Sequence, residues 1–133
     1  MDEISESPVR ELLDLTQQLL EAIATDNWEV YHALCDPTLS AFEPEARGQL
    51  VEGMEFHRFY FRLTETKTRR NTTMTTPRVR LLGEDAAVVT YVRLTQYLDA
   101  SGNPQTSRFE ETRIWQRQDG IWRHVHFHRS ANS

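Results

Sequence analysis

The sequence predicts an α+β domain in which a long N-terminal helix packs on an antiparallel sheet. Three observations carry that prediction. The first half of the chain has apolar residues at helical spacing. The second half changes to a period of two, in threonine-rich and aromatic runs. Between those runs stand tight turn signals, which join neighbours as hairpins and so make the sheet antiparallel.

Each element has its own local reason. Ser7-Pro8 opens the first helix, with serine as N-cap and proline at the first helical position, where its missing N–H costs nothing. Val9, Leu12, Leu13, Leu19, Leu20 and Ile23 then form one face, opposite Glu11, Asp14, Gln17, Gln18 and Glu21. Asp26-Asn27-Trp28-Glu29 is a capping-box pattern that starts a short second helix, and Asp36-Pro37 stops it. Thr38 to Phe42 is a strand candidate ended by Glu43-Pro44-Glu45. A third helix is expected from Gly48 to Phe61, with apolar residues on more than one stripe, as on a helix covered from several sides. Four strands follow: Asn71–Leu82, Ala86–Leu98, Gln105–Gln118 and Ile121–His128. Their turns are Gly83-Glu84-Asp85, Ser101-Gly102-Asn103-Pro104 and the tight Asp119-Gly120.

The 133 residues fit one domain, 8–133, behind an acidic leader, 1–7. Twenty acidic against fifteen basic residues give a net charge of −5, which argues against a general nucleic-acid binder. The basic cluster Lys67, Arg69, Arg70 reads as a solvated loop, with local docking as the alternative. No apolar run approaches the roughly 20 residues that span a bilayer, and the polar start is unlike a signal peptide. One cysteine, Cys35, makes no intrachain disulfide. With no obvious base beside it in sequence, it reads as a small buried hydrophobe, and the cytosol is the expected compartment.

Strand parity is the most informative signal. Val89, Tyr91, Arg93 and Thr95 share a face, as do Phe109, Glu111, Arg113 and Trp115; Val125, Phe127 and Arg129 share one on the last strand. Each apolar face thus carries one arginine. A buried guanidinium needs a partner. Either Glu111 and other acids pair the arginines internally, or they line an electropositive pocket that grips a carboxylate bidentately. The opposite parity holds Trp122, His124, His126 and His128. Three histidines invite a metal, but no Asp, Glu or Cys stands at a telling spacing beside them, so a polar or subunit-facing sheet surface is expected. His57, between aromatics on the third helix, reads as a packing residue or a pocket-lining one. No phosphate loop, nucleophile elbow, C-x-x-C or kinase signature is present; His57-Arg58-Phe59 lacks the catalytic aspartate.

Several stretches, in order and correctly spaced from Val9 to the end, resemble the association (hub) domain of calcium/calmodulin-dependent protein kinase II. They are Cys35-Asp36-Pro37 through Phe42-Glu43-Pro44-Glu45-Ala46; Leu50-Val51-Glu52-Gly53-Met54 with Phe56-His57-Arg58-Phe59-Tyr60-Phe61; and Tyr91 with Arg93-Leu94-Thr95-Gln96-Tyr97. Glu110-Glu111-Thr112-Arg113 with Trp115, Asp119-Gly120 with Trp122, and Val125-His126-Phe127-His128-Arg129-Ser130 complete the match. The resemblance implies the cone-shaped nuclear transport factor 2-like fold, a curved antiparallel sheet wrapped around the first helix. It also implies paired domains closing into a stacked double ring that carries kinase modules on its rim.

By the same resemblance Arg93, Arg113 and Arg129 match pocket arginines and His57 a pocket histidine. With Tyr91 and Glu111 they are the candidate ligand-binding residues. No catalytic residue, metal or cofactor is implied. The implied partners are copies of the chain itself, in a ring of roughly twelve to fourteen or more subunits, a kinase-bearing relative, and a small carboxylate or a peptide in the pocket. A non-enzymatic hub is the expectation; a small-molecule-binding or isomerase- or dehydratase-like role on the same fold is the alternative. The acidic leader is unlike a truncated kinase linker, so a free-standing hub is expected. The loop Arg62–Thr72 is shorter than in animal relatives and lacks their flexible tryptophan, so gating by it is not carried over.

Overall fold

The computed structural model describes residues 7–64 and 70–130. Helix α1 (Pro8–Ala24) begins where the serine–proline pair predicts, with the Ser7 hydroxyl accepting from Arg10 N at 3.1 Å. Its buried stripe is Leu12, Thr16, Leu19, Leu20 and Ala22. Helix α2 (Trp28–Leu34) is capped one residue later than the capping-box pattern suggests. Asn27 Oδ1 accepts from Val30 N, while Asp26 takes a left-handed φ of 56° and turns its carboxylate elsewhere.

Strand β1 (Cys35–Phe42) follows without a loop, a 3-10 turn occupies Pro44–Ala46, and β2 is the pair Val51–Glu52. The expected third helix from Gly48 is corrected here. Val51 pairs with Ala41 of β1, Gly53 sits at φ +84° and donates its N–H to Leu39 O, and α3 runs only over Glu55–Thr64. A positive φ is easy for glycine and ends any helix in the middle of that stretch.

The remaining strands are β3 (Asn71–Leu81), β4 (Ala86–Leu98), β5 (Pro104–Gln118) and β6 (Ile121–Arg129). Together they form a six-stranded sheet of order β2-β1-β6-β5-β4-β3. The hairpins are antiparallel as expected, and Asp119-Gly120 has both residues at positive φ, as the tight turn demands. One ladder differs: β1 lies parallel to β6, because the chain reaches β6 from the far side of the sheet rather than through a hairpin. Helix α1 lies against β3 and α2 and touches β4. Its stripe packs into a core with Tyr31, Leu39, Val89, Trp115 and Phe127.

A second correction concerns β6. Ile114 pairs with His126 but Trp115 pairs with His124, so Val125 is an extra residue, a β-bulge. The bulge flips parity within the strand. Trp122 and His124 turn into the core alongside Phe127, while His126 and His128 stay on the outer face. The three histidines therefore do not share a face. No group of three metal-ligating side chains occurs among the described residues, and no helix there is long and apolar enough to cross a membrane.

Candidate functional site

The sheet register sets the site. Tyr91 of β4 stands opposite Glu111 of β5, which stands opposite Arg129 of β6; Arg113 stands opposite Phe127. Alternation puts all of them, with Arg93, on the inner face. Beside them is a cavity of about 450 Å³ whose lining includes Arg93, Arg113, Arg129 and His57 together with Tyr31, Tyr60, Phe61 and Phe109. Four of the six candidate residues therefore line the cavity. Tyr91 and Glu111 do not; they lie behind its wall and hold the arginines.

Glu111 is the hub of that wall. Its Oε1 accepts from the Tyr91 hydroxyl at 2.6 Å and from Arg113 Nη2 at 3.0 Å, and its Oε2 accepts from Arg93 Nη1 at 3.2 Å. Tyr91 in turn accepts from Arg113 Nε at 2.7 Å. Burial alone would raise the Glu111 pKa, but Arg113, Arg93 and the Tyr91 bond outweigh it and hold the carboxyl at about 2. Burial likewise opposes the charge of Arg113. Tyr91 and Glu111 overcome it and raise that guanidinium above the ordinary arginine range, and Phe127 lies under it at 4.4 Å. Arg93 uses Nε on Thr72 and Nη1 on Glu111, and neither bond engages its Nη2. Internal pairing and a cavity with arginine on its wall thus coexist.

Cys35, buried as the sequence suggests, has an imidazole beside it. Sγ lies 3.4 Å from Nδ1 of His124, whose Nε2 is 3.3 Å from Arg113 Nη1. An arginine N–H can only donate, so Nε2 accepts and the proton sits on Nδ1, facing the sulfur. Burial, then Arg113, keeps His124 well below the ordinary histidine pKa, and burial pushes the Cys35 thiol up to about 12. This is a neutral packing contact and not a thiolate–imidazolium pair.

Two further carboxylates of the lining had no strand-parity signal. Glu43 follows β1 and Glu45 sits on the 3-10 turn beyond Pro44, and both line the cavity. Arg129 is hydrogen-bonded to Glu45 Oε1 and lies 3.8 Å from Glu43 Oε1. Glu43 Oε2 is 3.4 Å from Nδ1 of His57. Burial, against the pull of Arg129, pushes Glu43 up to about 7. Burial, then Arg113, pulls His57 down to about 4, so the ring is neutral. Arg70 also lines the cavity and reaches Asp26 Oδ1 at 2.8 Å and Ile23 O at 3.1 Å; it closes the C-terminus of α1 and is no free surface cation. Lys67 and Arg69 lie outside the described residues. The described lining sets four guanidinium groups, of Arg70, Arg93, Arg113 and Arg129, against the carboxyls of Asp26, Glu43 and Glu45. These carboxyls offset much of the charge of the four guanidinium groups. The missed acids had a signal: three inward arginines with one same-face acid, Glu111, leave at least one guanidinium in need of another partner.

A helix-lined sheet enclosing such a cavity defines the class. A nuclear transport factor 2-like superfamily protein from Salmonella enterica superposes with a TM-score of 0.77 at 21% identity, covering 92% of this chain and 89% of that one, which shows the fold. The family model described as the calcium/calmodulin dependent protein kinase II association domain matches residues 8–133, and the chain belongs to that family.

The rabbit (Oryctolagus cuniculus) calcium/calmodulin-dependent protein kinase type II subunit delta is 52% identical across 98% of this chain. The chain spans 25% of that relative's length. Among solved structures, the hub homology domain from Chlamydomonas reinhardtii superposes with a TM-score of 0.87 at 45% identity, covering 94% of this chain and 98% of that one. The association domain of the C. elegans kinase gives 0.83 at 47%, covering 91% and 93%.

Proposed function

We propose that this chain is a self-assembling hub, in which dimers close into a stacked double ring of roughly twelve to fourteen or more copies, and that the arginine-walled cavity of each copy takes a small carboxylate. Membership of the association-domain family over residues 8–133 is the observation that carries the assembly reading. The surface supports it. On the outer sheet face Val88, Ile114 and His126 stand side by side across β4, β5 and β6, with Val92 and Leu94 further along β4. On α3, Phe59 is 57% exposed and Leu63 50%. Apolar area of this extent suits burial against another copy.

The native mass of the purified chain at micromolar concentration tests the assembly. Ten or more subunits, on the order expected of a closed ring, would support the hub and give the copy number. A monomer or simple dimer would remove the ring and shift the weight to a binding or enzymatic role of the cavity. Co-assembly with a kinase-bearing relative is part of the same reading, tested by mixing the two and measuring mixed particles.

The carboxylate reading rests on Arg93, whose Nη2 is engaged by neither of its two bonds. Arg93→Gln leaves Arg113 paired with Glu111 and so should keep the assembled mass. It should weaken binding of a small carboxylate by about tenfold or more, the loss of one charge-assisted hydrogen bond. Unchanged affinity would take Arg93 out of the site.

A further inference from the structure

Arg129, like Arg70, lines the cavity without a hydrogen bond to the wall carboxylate Glu111. Its partners are Glu45, by a hydrogen bond, and Glu43 at 3.8 Å. These two acids come from one short segment. β1 runs parallel to β6 with Phe42 beside His128, which delivers Glu43 to the level of Arg129, and the turn at Pro44–Ala46 folds Glu45 back onto the same guanidinium. The chain thus supplies its own carboxylates where a ligand's would bind. Three buried polar atoms at this spot have no hydrogen-bond partner among the described residues: Arg129 Nε, Glu43 Oε2 and His57 Nε2. Buried polar atoms without a partner call for an explanation, and a ligand that bonds them is one.

We propose that Glu43 and Glu45 are a resident anion on Arg129, which an incoming carboxylate displaces, and that Glu43 takes up a proton as the ligand enters. The proposal rests on the carboxylate reading above. Its physical basis is charge balance. A second anion on Arg129 removes the counter-ion of Glu43 and places a like charge beside it, and both effects favour the protonated carboxyl. Once neutral, Glu43 can donate from Oε2 to Nδ1 of His57, which lies 3.4 Å away. That fixes the tautomer with the proton on Nε2, a donor now free for the ligand.

The groups facing Glu43 come from every neighbouring element: Tyr31 on α2, Glu45 on the turn, His57 on α3, Arg113 on β5 and Arg129 on β6. Asp26, Arg70 and Arg93 line the same cavity. His57, held at about 4, and Tyr31, raised by burial well above its usual 10, do not titrate near neutrality. Glu43, raised by burial to about 7, does. The ligand class is a monocarboxylate with an aromatic body, since Tyr31, Tyr60, Phe61, Tyr97, Phe109 and Phe127 make the uncharged part of the lining mostly aromatic.

Benzoate is a suitable probe because it stays ionised throughout. Titration calorimetry on the assembled wild-type protein, between about pH 6 and pH 8.5 in pairs of buffers with different ionisation heats, reads affinity and proton uptake together. Affinity should fall with rising pH, by up to about tenfold per unit, with up to about one proton taken up per benzoate. Glu43→Gln should still bind, with no pH dependence and no uptake. Binding by the wild type at constant affinity without proton uptake overturns the proposal and leaves the carboxylate reading standing. No binding by either protein at any pH sinks the carboxylate reading, and this proposal with it. The wild-type measurement decides even if the variant does not assemble.

Discussion

Glu111 shows how one buried acid decides the behaviour of a whole wall. It is 2% exposed and bonds Tyr91, Arg93 and Arg113. Glu111→Gln keeps the shape but leaves two guanidinium groups without their counter-ion, which should cost about 3–5 kcal/mol. Urea unfolding at fixed protein concentration measures it, and a loss below ~1 kcal/mol would mean that Tyr91 and water suffice. The buried titratable groups also set the response to acid. His57 and His124 are held below their ordinary value near 6.5 by burial and then by Arg113. Below that value the unfolded chain binds more protons, so their contribution is present above about pH 6.5 and is lost as pH falls, for His57 down through about 4. Glu43 works in the opposite sense: raised from 4.5 to about 7, it holds a proton in the folded chain and favours folding less as pH climbs through that window. Glu43→Gln should therefore make stability rise more steeply between about pH 4.5 and pH 6.5. Equal slopes in urea midpoints would mean that Glu43 is ionised in the fold like a surface carboxylate.

At the scale of elements, the ends of α1 are held by different means. Its start is encoded locally, by Ser7 and Pro8. Its end has no basic residue in the last turn, and the cation that completes it is Arg70, which donates to the carbonyls of Ile23 and Ala24 and to Asp26. A cation at a helix C-terminus satisfies orphan carbonyls and opposes the macrodipole. Arg70→Ala should cost about 1.5–3 kcal/mol, the range for hydrogen bonds to a charged group. Protection of the last turn of α1 against hydrogen exchange should fall with it; exchange unchanged at Ile23 through Thr25 would show that Arg70 is dispensable. Nothing in the run Lys67 to Arg70 distinguishes this arginine from its neighbours, because its target lies 47 residues away in the chain.

At the scale of the molecule, Val88 and Ile114 align with His126 across the outer sheet face. Ile114→Glu places a charge there without entering the core, since Ile114 points away from the Glu111, Arg113 and Trp115 face. The variant should keep its secondary structure and yield a smaller native mass, because an interface cannot bury an unpaired carboxylate cheaply. An unchanged mass would place the contacts between copies elsewhere, with α3 and its exposed Phe59 the next surface to test.

Much of this protein is written locally. The helix start at Ser7, the four strands within a residue or so, the Asp119-Gly120 turn and the inward parity of Arg93 and Arg113 all follow from neighbours in sequence, because side-chain periodicity and turn chemistry are short-range properties. The family motifs were equally legible, because they are contiguous strings. The rest depended on partners far apart in the chain. Gly53 breaks the expected third helix because Val51 finds Ala41, and the Val125 bulge shows only in the pairing of β5 with β6. Tyr91 and Glu111 carry the right parity for a ligand site, yet stand behind its wall. The parallel pairing of β1 with β6 brings Glu43 and Glu45 to Arg129, across more than 80 residues. The sequence by itself determined which elements form and which faces carry charge inward; the tertiary structure alone decided which charges meet, because register and strand order are set by packing between segments that local pattern does not connect.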